Sequence, residues 1–99
     1  MNIVNTDNGD NIRLLVEGRV DTTTAPTLQE AILSAFQKNN NIVIDFLNVA
    51  YVSSAGLRAL LIGQKTAQSK GGSMVITNVS DSVMEVFTVT GFKGILTIK

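Results

Sequence analysis

The feature that most constrains this chain is a short, almost wholly apolar run, Ile42-Val43-Ile44-Asp45-Phe46, set between two stretches of helical rhythm. So brief a run, rich in β-branched residues, reads as a strand, and its near-continuous apolar character predicts a central strand covered on both faces. Upstream, Leu28, Ala31, Ile32, Ala35 and Phe36 recur at helical spacing. Downstream, Leu57, Leu60, Leu61, Gln64 and Ala67 do the same. A strand held between two amphipathic helices is the unit from which parallel sheets with right-handed crossovers are built.

The flanking segments extend that unit. Met1 to Thr6 reads as an edge strand, joined through the Asn8-Gly9 turn signal to an alternating strand, Ile12 to Val20. Gly18 interrupts the apolar face of that strand and marks a bulge or a close backbone approach. Pro26 suits a first helical turn, and Thr27 and Glu30 stand three apart as a capping box for a helix running to Lys38. Asn39-Asn40-Asn41 then ends it, and Gly71-Gly72 ends the second helix near Ser69 or Lys70. A third strand spans Ser73 to Thr77, and Ser80-Asp81 opens a third helix with Val83, Val86 and Phe87 on its buried stripe. Met84 and Val89 fall off that stripe and are expected to be partly buried. Gly94 to Ile98 closes the chain as a last strand. The expected class is α/β: one domain over residues 1–99, in the order β-β-α-β-α-β-α-β, with a mostly parallel mixed sheet and helices packed on it.

Composition then removes most chemistry. The 99 residues include no histidine and no cysteine. That excludes thiolate nucleophiles, disulfides, imidazole bases and the common transition-metal ligands. Eight basic and eight acidic residues give a net charge of zero, so no strong field recruits nucleic acid or an anionic membrane. No apolar run approaches the about 18–20 residues of a membrane span, and the first residues lack the pattern of a signal peptide. The expected compartment is the cytoplasm, and no cofactor or metal is expected. Asp21 and Asp45 could pair as a carboxylate site for Mg²⁺, but two carboxylates without a third ligand hold such an ion poorly. A binding module fits this inventory better than an enzyme.

The most informative stretch is Val52-Ser53-Ser54-Ala55-Gly56-Leu57-Arg58, where a strand hands over to a helix. The first N–H groups of a helix have no partners within it and carry partial positive charge. Either serine can therefore serve simply as an N-cap. Either can also carry a phosphate, which adds about −1.5 to −2 charge where the dipole tolerates it. Gly56 would admit a close approach by a partner's backbone or pack the helix on the sheet. Arg58 opposes the helix dipole, as a solvated residue or as a contact to a partner or phosphate. Asp21, before three threonines, is first of all a turn-former.

The segment Asp45 to Leu61, with Ser53-Ser54-Ala55-Gly56-Leu57-Arg58 at its centre, resembles the signature of STAS domains, specifically the bacterial anti-sigma factor antagonists. Val16 to Ala25 and Val86 to Phe92 resemble the family's other recurrent stretches. The resemblance implies a non-enzymatic switch. The unphosphorylated protein binds an anti-sigma factor that is also a serine kinase, freeing the sigma factor, and a PP2C-type phosphatase reverses the phosphorylation that ends binding. It places the phosphate on Ser54, two residues before the motif glycine, with Ser53 as competitor because many members carry Asp there. It places the partner surface on Asp21, Thr22, Ser53, Ser54, Ala55, Gly56 and Arg58. An alternative within the resemblance is a structural STAS subunit of a lipid-transport or other transporter-associated complex.

Overall fold

The computed structural model describes residues 1–99. Strands β1 (Asn2–Asp7) and β2 (Ile12–Glu17) form an antiparallel hairpin in unbroken register, with Asn2 opposite Glu17 and Asp7 opposite Ile12. Helix α1 (Ala25–Phe36), strand β3 (Asn41–Asn48), helix α2 (Ser54–Ser69), strand β4 (Ser73–Thr77), helix α3 (Asp81–Val89) and strand β5 (Thr97–Ile98) follow. The strands lie side by side in sequence order, and β2 to β5 run parallel. The α/β class and the mixed, mostly parallel sheet agree with the sequence reading.

Strand order dictates where the helices go. When each parallel strand lies next to its predecessor and every crossover is right-handed, all the crossover helices fall on one face. Burial follows that geometry. Ile12, Leu14 and Val16 of β2, Ile42, Ile44 and Phe46 of β3, and Met74 and Ile76 of β4 are buried beneath the helices. From above, Leu28, Ile32 and Phe36 of α1, Leu57 and Leu60 of α2, and Val83 and Phe87 of α3 complete the same core. Val43 and Val75, on the opposite face, are only half-buried. The expectation that Ile42–Phe46 is covered on both faces is thus corrected: the helices cover one face and leave the other open.

Asp45 is the exception on the open face, 1% exposed. It accepts hydrogen bonds from the Arg13 guanidinium, the Leu47 backbone N–H at 2.9 Å and the Asn78 side-chain amide at 3.1 Å. One carboxylate so ties β2, β3 and the exit of β4.

Four other readings also change. The last strand is only Thr97–Ile98, because Phe92–Gly94 form a 3₁₀ turn that uses up the chain before it can pair. Helix α1 ends at Phe36 rather than Lys38. Val89 is 76% exposed rather than partly buried, because α3 presents only its Val83–Phe87 side to the core. Thr27 and Glu30 form no capping box; the reciprocal bonds lie in the turn that leads into α1, between Asp21 and Thr24. Ser80 caps α3 as expected, its Oγ accepting from the Val83 N–H at 3.3 Å.

Candidate functional site

The site is assembled where the chain continues past β2 and β3. Gly18 adopts φ +111°, a conformation that side chains disfavour, beside a register shift between Leu15 and Glu17, which is the bulge expected there. Beyond it the two strands re-pair at a single parallel bridge, Val20 to Val52. The Val20 N–H donates to the Tyr51 carbonyl at 3.0 Å, and the Ser53 N–H donates to the Val20 carbonyl at 2.8 Å. This bridge sets the Asp21 turn beside the start of α2.

Each tip is then closed by its own cap. The Asp21 N–H donates to Thr24 Oγ1 at 2.9 Å, and the Thr24 N–H donates to Asp21 Oδ1 at 3.0 Å. This is the reciprocal geometry of a capping box. The Thr23 N–H also donates to Asp21 Oδ1 at 3.0 Å. The Thr24 backbone hydrogen bond, above all, holds the Asp21 carboxyl below its ordinary pKa. At the other tip Ser53 is the N-cap of α2, its Oγ accepting from the Gly56 N–H at 3.3 Å. Ser54, the first residue of α2, is exposed, and its hydroxyl has no hydrogen-bond partner within the protein.

Gly56 lies inside this arrangement. A Cβ there would stand 2.7 Å from Val20 Cγ1 and 2.9 Å from Val52 Cγ1. Only hydrogen lets the first turn of α2 press against the Val20–Val52 bridge, so Gly56 supplies close packing and lies beneath the surface.

The outer side of the tips opens into a groove of about 750 Å³ between α1 and α2. Thr22, Pro26 and Leu33 line one wall and Ala55, Arg58 and Ile62 the other. Glu30 also borders it, and neither Glu30 nor Arg58 is in an ion pair. The structure so gathers Asp21, Thr22, Ser53, Ser54, Ala55 and Arg58 at one end of the molecule, with Gly56 beneath them. It does not join Asp21 and Asp45 in one carboxylate site: the two share no hydrogen-bond partner.

Arg19 and Tyr51 escape the sequence reading. The Val20–Val52 bridge sets them side by side, with the Arg19 guanidinium 4.2 Å from the centre of the Tyr51 ring and its Nε 4.0 Å from Asp21 Oδ2. Their only signal in the sequence is that each stands two residues before a site residue, Asp21 and Ser53. That becomes informative only once the pairing of the two tips is known.

Comparison with known proteins agrees with this geometry. Residues 4–97 match the family model described as Mlab, STAS domain. The chain is 34% identical to the anti-sigma-B factor antagonist of Listeria monocytogenes, over 91% of this chain and 80% of that protein. It is 29% identical to the Bacillus subtilis anti-sigma-B factor antagonist, over 92% of this chain and 84% of that protein. Its fold superposes on the unphosphorylated form of the anti-sigma factor antagonist SpoIIAA with a TM-score of 0.83, at 16% identity, covering 99% of this chain and 88% of that one. With a family model spanning nearly its whole length and a relative above 30% identity, the chain belongs to the STAS-domain family of anti-sigma factor antagonists.

Proposed function

We propose that this protein is an anti-sigma factor antagonist, regulatory rather than catalytic, that binds an anti-sigma factor acting also as a serine kinase. Phosphorylation of Ser54 switches that binding off, and a PP2C-type phosphatase restores it. One observation carries the choice of residue: the Ser54 hydroxyl is exposed and uncommitted at the head of α2, whereas Ser53 is half-buried and its oxygen is engaged in the cap. A kinase needs a hydroxyl it can reach and turn toward a γ-phosphate, and Ser54 offers one at no cost to the helix.

The surface that the partner covers comprises Asp21, Thr22, Ser53, Ser54, Ala55 and Arg58, continued along the α1/α2 groove, with Gly56 shaping it from below. Phosphate on Ser54 places about two negative charges in that surface, close to the Asp21 carboxylate. Loss of binding then follows from like-charge repulsion and from the cost of desolvating the phosphate in an interface. The fold itself tolerates the phosphate, because anions are favoured in the first turn of a helix.

The test is binding of the cognate kinase to three forms of the protein. Ser54→Ala is expected to bind like wild type and to stay bound when ATP is added. Ser54→Asp is expected to bind at least about tenfold more weakly, a loss of about 1.4 kcal/mol, with its circular dichroism unchanged. Phosphate found only on Ser53 after incubation with the kinase would move the switch by one residue. Phosphate on neither serine would remove it.

A second reading is a permanent STAS subunit of a transporter-associated complex, a setting in which the same fold occurs in a sulfate transporter family protein of Wolinella succinogenes. Such a subunit needs no phosphorylation. A transporter ATPase encoded beside this chain would support it, and a serine kinase with a phosphatase would support the first reading.

A further inference from the structure

The two edges of the sheet are protected unequally. β5 offers only two residues, too few to template another strand. β1 offers six, Asn2-Ile3-Val4-Asn5-Thr6-Asp7, without proline, lysine or arginine and without a bulge in its pairing to β2. Its one charge stands at its last residue. None of the usual devices against strand addition is present on this edge, and Val4 is 46% exposed on it.

We infer that the outer edge of β1 pairs with β1 of a second copy of this chain, antiparallel about a two-fold axis through Val4, joining two five-stranded sheets into one of ten. The sequence of the strand argues for a second copy as occupant. Antiparallel pairing sets residues of the same face opposite one another, so the axis must pass through a residue rather than between two. Centred on Val4, the register sets Val4 against Val4, Asn2 against Thr6 and Ile3 against Asn5. That gives a β-branched pair on the open face, flanked by groups that hydrogen-bond each other, and sets Asp7, the strand's one charge, opposite only Met1, just outside the strand. Centred on Asn5, it would set the Asp7 carboxylate opposite Ile3. The chain's net charge of zero removes any general repulsion between copies.

A seam one strand wide buries less than the about 1,000 Å² of a tight interface, so the dimer is a weak one, formed at high-micromolar concentration. The two-fold closes it at two copies, because each chain has a single such edge. The switch serines and the α1/α2 groove stay uncovered, so the dimer presents two partner surfaces at once.

The absence of cysteine makes the register directly testable. Directly opposed residues in an antiparallel pair have Cα atoms about 4.5–5.5 Å apart, within the range that a disulfide spans. Val4→Cys is therefore expected to form a disulfide-linked dimer under mild oxidation at least about tenfold faster than Leu47→Cys, which is 64% exposed but lies away from this edge. Wild type is expected to show a monomer–dimer equilibrium in sedimentation velocity at high-micromolar loading. Val4→Lys, its fold checked by circular dichroism, is expected to remain monomeric. Equal cross-linking at residues 4 and 47, or a wild-type protein that stays monomeric throughout, would overturn the inference. If Val4→Lys fails to fold, the cross-linking rates alone decide.

Discussion

A serine hydroxyl at the start of a helix can stabilise the helix or be offered to an enzyme, and the head of α2 divides these roles between neighbours. Ser53 Oγ accepts from the Gly56 N–H, while the Ser54 hydroxyl has no partner in the protein. Ser53→Ala should therefore cost about 1 kcal/mol, the usual value of an N-cap, and Ser54→Ala should change stability by less than about 0.5 kcal/mol. Urea midpoints of the two variants against wild type check this, and equal losses would show that the hydroxyls are not divided in this way. The sequence alone could not make the distinction, since either serine suits the cap position. What decides it is that backbone pairing to Val20 holds Ser53 extended, at φ −87° and ψ 175°, so that helical geometry begins only at Ser54. The same kind of pairing explains Asp21. As a turn-former it was legible, but its reciprocal bonds with Thr24 were not, because Thr27 and Glu30 carry an equally good capping signal a few residues later.

Between elements, the Asp45 carboxylate ties three segments together outside the apolar core. Burial alone would raise its pKa. The Leu47 N–H, the Asn78 amide and the Arg13 charge outweigh burial and hold it below the ordinary value of 3.8. Because the folded-state pKa is the lower one, the stabilisation is fully present above the unfolded value and is lost as pH falls through the folded one. Wild type should hold its stability down to about pH 4 and lose it below. Asp45→Asn should cost about 1–3 kcal/mol at pH 7, because the Arg13 guanidinium then faces a neutral amide. It should also lose less than wild type as pH falls below 4, because it has no carboxylate at this position to protonate. Urea unfolding of both proteins across that range measures the difference, and parallel curves would assign the acid limb to other carboxylates. This tie was hidden in the sequence, where Asp45 reads as the one polar residue of a buried run. Its distant side-chain partners lie 32 and 33 residues away, one on β2 and one just past β4, beyond the reach of periodicity.

For the whole molecule, the decisive fact is that the sheet has one covered face and one open face. The order of elements, and hence the fold class, was readable from alternating periodicities. The openness of one face was not, because Ile42-Val43-Ile44 presents apolar side chains in both directions. Only the spatial order of the strands, each beside its predecessor, puts every helix on one side. Adjacent residues of β3 should accordingly differ in what they contribute. Ile44 is fully buried beneath the helices, and removing its side chain leaves a cavity that the close-packed core cannot fill, so Ile44→Ala should cost about 3–4 kcal/mol. Val43 faces the half-open side, and Val43→Thr keeps the β-branched shape while exchanging a methyl group for a hydroxyl that water can reach. That change should cost less than about 1 kcal/mol. Equilibrium urea unfolding of the two variants reads the difference directly. Similar losses at positions 43 and 44 would mean that the second face is covered in solution, and a concentration-dependent loss at position 43 would mean that another molecule covers it.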